Sequence, residues 1–225
     1  MGIFSFSRAN IKDFILGFQD GVVNVLGILL GVAIATNDTR IVLIAGTAGL
    51  FAESVSMAAV AYTSSSAAKS YYDSQLHSER MEIRHRPWEG VEEIRDIYRK
   101  KGFRGKELDM VVKKITSNKR VWLETMMTEE LKLSREDYES PVKNTFLVGA
   151  ATFAGSFVPL APFLAMAPKE GIIVSSLLSV AALFAVGAVK AKLTIGGWLR
   201  SGTQIAVIGM VAALLGYVIG ILFGA

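Results

Sequence analysis

Long apolar runs separated by short polar turns make up most of the chain, and one polar block interrupts them. The apolar runs are residues 14–35, 41–68, 144–166, 171–189 and 201–223. Each is about long enough to cross a bilayer core as a helix, which takes roughly 20 residues. Residues 36–40 (Thr-Asn-Asp-Thr-Arg) and 167–170 (Ala-Pro-Lys-Glu) read as turns. Pro159 and Pro162 are expected to bend or end the far half of the third span. Within the polar block, Val91, Ile94, Ile97 and Tyr98 recur at helical spacing, which predicts a short helix over 89–101 that stops at Gly102. Leu108, Val111, Val112, Ile115, Val121, Trp122 and Met126 predict one longer helix over 106–133. No segment reads as a strand. The pattern predicts an all-α protein with five transmembrane helices and a helical insert between spans two and three. The divisions are 1–68, 69–140 and 141–225.

The second span has no proline at its polar end. The sequence continues as Lys69-Ser-Tyr-Tyr-Asp and runs helix-compatible to Pro87. One helix from Ile41 to that proline reaches roughly 69 Å at about 1.5 Å per residue, against a bilayer core of about 30 Å. Its apolar half carries Glu53 and Met57, and its polar half Glu79, Glu82 and His85.

Charge sharpens this division. Residues 67–143 hold 17 of the 24 Lys+Arg and 15 of the 20 Asp+Glu, so the mean hydropathy of +0.42 averages two unlike parts. The net charge of +4 is spread among mixed signs, and no nucleic-acid partner is expected. Cysteine is absent, which excludes disulfides, thiolate zinc sites and cysteine nucleophiles. No cleaved signal is expected before the first span. Arg8 and Lys12 in the tail, and Lys190, Lys192 and Arg200 between spans four and five, fall on one side of a five-span chain. By the positive-inside rule that side is the cytoplasm, which also receives the insert and leaves the C-terminus outside.

Gly17/Gly21, Gly27/Gly31 and Gly216/Gly220/Gly224 form small-xxx-small rows. Such rows allow close helix approach, either within one subunit or across a homodimer seam.

Asp20 and Glu53 are carboxylates inside apolar spans, where ionisable groups are costly and mark protein-lined or watery interiors. Asp20 and Met57 each lie about 9 Å from the same membrane face, so antiparallel helices can set them at one depth. Glu53 lies one turn deeper than Met57 on the same face, and Asn24 one turn from Asp20. A lone transmembrane Met is most often packing. A thioether beside a carboxylate suits ferrous iron or manganese better than Mg or Ca. In the insert, Glu79/Glu82 and Glu89/Glu92 are i, i+3 pairs, and Met126, Met127 and Glu130 follow later. Short turns can gather these into one metal-binding cluster; by spacing alone a solvated charged face is the commoner reading. Glu82-Ile83-Arg84-His85 matches Glu-x-x-His of di-iron carboxylate proteins, but the second such motif is missing: His77 has Ser74 at i−3.

Several separated blocks resemble the vacuolar iron transporter family, which includes prokaryotic members. They are Gly17-Phe-Gln-Asp-Gly21, Ser56-Met57 with Tyr62 and Ser64, the two glutamate pairs, Trp122-Leu123 with Met126-Met127 and Glu130-Leu131, and Pro159-Leu160. They cover nearly the whole chain. The resemblance implies a five-span homodimer with a cytoplasmic three-helix metal-binding domain, exporting ferrous iron, and often manganese, in exchange for protons. It implies translocation residues at Asp20 and Met57, and soluble ligands at Glu79, Glu82, Glu89, Glu92, Met126, Met127 and Glu130. The ion is cargo, and no prosthetic group is expected. The family often carries an acid two turns before the span-two Met, where this chain has Gly49; Glu53, one turn before, is the nearest substitute. The second glutamate pair also follows the first one residue sooner than in plant members.

The expected function is therefore metal export rather than catalysis, from a prokaryotic cell membrane, with lipid, divalent ions and protons as partners. A membrane-bound di-iron oxidase on Glu82 and His85 and an anchored metal sensor are the rival readings. Asp20 argues against the sensor, because an anchor has no need of an intramembrane acid.

Overall fold

The computed structural model describes residues 8–135, 138, 140–193 and 196–224, and no strand occurs among them. Most of the polar tail, residues 1–7, lies outside this range. The helices are α1 (Arg8–Thr36), α2 (Thr39–His85), α3 (Pro87–Lys100), α4 (Gly105–Thr116), α5 (Lys119–Thr125), α6 (Pro141–Leu160), α7 (Pro168–Leu193) and α8 (Trp198–Phe223). A π-helical turn, Met126–Glu130, follows α5, and a 3-10 turn, Ala161–Leu164, follows α6. Five of these helices are long and apolar enough to cross a membrane: α1, α2, α6 with its 3-10 turn, α7 and α8. The chain divides into two compact units, Met1–Tyr62 with Val142–Ala225, and Thr63–Pro141.

In the first unit α1 is the central helix. Val22, Val25, Leu26, Leu29, Leu30 and Ala33 are all buried along it. Val25, Leu29 and Ala33 pack with Val42 and Leu50 of α2 and with Leu160 and Phe163. Val22 packs with Leu183 of α7 and Ile205 of α8. The outside of the unit is apolar instead of polar: Phe146 is 74% exposed, Val55 68% and Phe223 83%. A surface of that kind is stable against lipid rather than water.

The turn between α1 and α2 is set by Asp38. Its carboxylate accepts from the backbone N–H groups of Arg40 and Ile41, at 2.8 and 3.2 Å, and so caps the start of α2. The expected polar turn over 36–40 is therefore a helix cap. The third span ends as expected near its prolines, where α6 gives way to a 3-10 turn containing Pro162.

The glycine rows are occupied within the chain. A Cβ on Gly216 would lie 2.3 Å from the Gly27 carbonyl oxygen, and one on Gly220 2.6 Å from that of Gly31. One on Gly21 would meet the Thr152 carbonyl oxygen of α6 at 2.3 Å. The rows thus bring α8 and α6 against α1 at backbone distance.

In the second unit, Ile83 of α2 packs with Ile94 of α3, Leu108, Val112 and Ile115 of α4, Trp122 of α5 and Met126. Each fully buried side chain of this size contributes about 1.5–3 kcal/mol. Gly102 ends α3 with φ +104°, a backbone conformation that glycine adopts without strain.

The single helix expected over 106–133 is corrected here. It is three pieces. Asn118 breaks it because its side chain accepts from the N–H groups of Arg120 and Val121, starting α5 afresh. After Thr125 the backbone widens into the π turn, with the Leu131 N–H donating to the Met126 carbonyl at 3.2 Å.

Candidate metal sites

Asp20 sits on central helix α1, and Gly17 and Gly21 either side of it let α6 approach closely. Glu53 projects from α2 toward the same place. The Asn24 side-chain amide donates to Glu53 Oε1 at 2.9 Å, and Asp20 lies close enough to feel both Glu53 and Asn24. All three are on the first unit, and Asp20 and Glu53 are half-buried. Two carboxylates in contact repel unless a proton or a cation lies between them. Met57 is half-buried one helical turn from Glu53 and on its face. At Gly49 a Cβ would meet Ile28 Cδ1 at 3.2 Å, the tip of a movable side chain. The acid of α2 that stands against Asp20 is thus Glu53.

In the second unit Glu79 lies one turn from Ile83, on the core-facing side of α2, and is 8% exposed. Among the described residues its Oε2 has no hydrogen-bond partner, and neither has Oε2 of Glu93. Burial pushes the Glu79 carboxyl up to about 7, with the charges of Glu130, Glu82 and Glu93 adding to it. Burial, then the charges of Glu130, Glu82 and Glu89, raise Glu93 as well. Glu130 is raised by burial and by Glu82. Glu79, Glu82, Glu89, Glu93 and Glu130 are therefore neighbours. Arg86 touches the edge of the group, 3.8 Å from Glu82 and 2.8 Å from Glu89. Among the described residues, no three His, Cys, Asp or Glu side chains converge closely enough to hold a metal ion as they stand.

Glu92 is elsewhere. Its side chain is 60% exposed and pairs with Arg95 at 3.5 Å and Arg99 at 3.7 Å. Glu93, missing from the expected set, takes the inward place. The signal was available in the helix phase. At about 100° per residue, Glu93 lies beside the buried face of Gly90 and Ile94, and Glu92 on the far side.

Met126 and Met127 are both buried, but differently. Met126 is part of the apolar core against Ile83, Ile94 and Trp122. Met127 lines a cleft of about 540 Å³ with Leu76, Leu123 and Leu133 among its walls. Glu129 is engaged with Lys101 and Lys132, and the Lys101 hydrogen bond holds it below the ordinary carboxylate range. His85 is exposed, with Nδ1 2.9 Å from the Met81 carbonyl of its own helix.

Five apolar helices with an acid-rich helical unit between the second and third define a multi-pass membrane protein. The chain belongs to the VIT family, whose model matches residues 11–221. It is 28% identical over 204 residues to vacuolar iron transporter 1 of Arabidopsis thaliana, covering 90% of this chain and 82% of that protein. It is 30% identical to vacuolar iron transporter 2 of Oryza sativa subsp. japonica, over 90% of this chain and 83% of that one. The vacuolar iron transporter of Plasmodium falciparum is 27% identical over 224 residues, or 95% and 82% of the two chains. The family expected from the sequence blocks is thereby borne out.

Proposed function

We propose that the chain exports a divalent transition metal from the cytosol, ferrous iron first and manganese second, in exchange for protons. The observation that carries this reading is the closeness of Asp20 to Glu53, whose carboxylate accepts from Asn24. A carboxylate pair inside apolar helices accepts either a proton or a divalent cation, and that competition couples the two ions. Met57, one turn away, adds a soft ligand that favours a transition metal over Mg or Ca. Glu53 supplies the acid that Gly49 lacks. The relatives named as iron transporters support iron as the cargo.

The acidic group of the second unit captures the ion first. Glu79, Glu82, Glu89, Glu93 and Glu130 hold more negative charge than Arg86 offsets, so a cation is drawn in and the side chains rotate onto it. Met127 stands as the sulfur ligand, and Met126 holds the core. The positive loops support a cytosolic second unit, and a prokaryotic cell membrane is the setting we favour. A homodimer is the assembly we favour.

Transport of ferrous iron into proteoliposomes, with a pH gradient, tests the reading. Asp20→Asn and Met57→Ala are expected to lose most of the flux. Unchanged rates in both would sink it.

A further inference from the structure

The second unit carries a positive cleft that metal handling does not use. Arg80 and Arg84, one turn apart on α2, and Lys119 and Arg120, which open α5, line one cavity of about 310 Å³ with Ile83 and Leu123. Among the described residues no carboxylate lines it. Other cations of this unit find acids: Arg86 with Glu82 and Glu89, Arg95 with Asp109, Arg99 with Asp96, Lys101 with Glu129. Among the described residues none of the four cleft cations has an ion pair. The adjoining cleft shares Arg80, Arg120 and Leu123 and adds Arg135 with the acids Asp73 and Glu124, neither of which pairs with the four.

Four cations around one cavity repel each other, and an anion between them removes that repulsion. Guanidinium forks match a phosphate bidentately, which a free chloride does not exploit. Ile83 and Leu123 supply an apolar wall for a carbon-bearing part. The volume leaves room for a substituent well beyond the phosphate group.

We propose that this cleft binds a phosphate-bearing anion, held by Arg80, Arg84, Lys119 and Arg120. The phosphate can come from a soluble ester or from an anionic lipid headgroup.

The test uses the full chain in phosphatidylcholine nanodiscs and metal-free buffer. Inorganic pyrophosphate is titrated calorimetrically, and melting is followed with and without phosphatidylglycerol in the disc. Saturable pyrophosphate binding is expected, weakened by about tenfold or more in Arg80→Gln/Arg84→Gln and again in Lys119→Gln/Arg120→Gln. Lys113→Gln/Lys114→Gln removes two exposed charges from α4, outside the cleft, and is expected to change affinity by no more than about twofold. A melting shift with phosphatidylglycerol alone, lost in the arginine variant, assigns the site to a lipid headgroup; pyrophosphate binding assigns it to a soluble phosphate. No response in either arm, or an equal loss in the α4 control, overturns the proposal. Arg80→Lys/Arg84→Lys keeps the charge but not the forks, so it decides the matter if the Gln variants do not fold. Its binding is expected to be several-fold weaker, and undiminished binding overturns the assignment.

Discussion

Glu53 of α2 accepts a hydrogen bond from Asn24 of α1 at 2.9 Å, and the same carboxylate stands against Asp20. Glu53→Gln keeps a side chain that can still accept from Asn24 but removes a proton-binding group. Ferrous iron flux is expected to fall by about tenfold or more, and metal-driven proton movement with it, as read by an intravesicular pH dye. Adding Gly49→Glu to that variant is expected to restore part of the flux, since a Cβ there crowds nothing but the movable tip of Ile28. Full coupling in Glu53→Gln would remove Glu53 from the mechanism.

Glu79 gives the second unit a pH dependence with a definite sign. Its carboxyl is pushed up to about 7 from an ordinary 4.5. Metal must displace that proton, so affinity for ferrous iron or manganese is expected to fall as pH drops from about 8 to about 6. Stability without metal runs the opposite way. A raised carboxylate favours the folded state while protonated, so its contribution is complete below 4.5 and lost as pH rises through about 7. Melting of the metal-free protein should therefore fall between about pH 5 and 8, and Glu79→Gln should flatten that slope.

Glu93 and Glu92 are adjacent and expected to behave differently. Glu93→Gln should weaken metal binding by roughly tenfold, whereas Glu92→Gln exchanges exposed ion pairs worth about 0.2–1 kcal/mol for neutral contacts. Calorimetric titration of manganese into both variants separates them. Equal losses would return Glu92 to the ligand set.

The two methionines divide in the same way. Met126→Ala leaves a hole beside Ile94 and Trp122 and should cost about 2–5 kcal/mol of stability. Met127→Leu should leave melting nearly unchanged and reduce metal affinity. If the stability losses were reversed, the division between core and ligand would be wrong.

The spans and the long second helix were legible in the sequence, because length along a helix can be counted. Counting depth sets Met57 level with Asp20, whereas Glu53, expected one turn deeper, is the α2 acid beside Asp20. Glu93 was not found because an i, i+3 spacing selects two residues without fixing which face is inward; the buried Gly90 and Ile94 fix it. The break at Asn118 lacks a proline or glycine to announce it, and its cause is a side chain competing for backbone donors. The glycine rows announced close approach but not the partner. The backbone oxygens of Gly27 and Gly31, facing Gly216 and Gly220, supply that answer.

The π turn at Met126–Glu130 has a consequence for how this stretch tolerates change. A wide turn accommodates one more residue than an α turn would, and it is reached from Thr125 without a loop. Relaxing the turn to α-helix with no residue lost would swing everything beyond it by about 100°. Glu130 would leave the side of Glu79 with every ligand type still present. At this point in the chain, a substitution that turns the wide turn into ordinary α-helix is expected to be more damaging than its chemistry suggests, because what the turn preserves is phase.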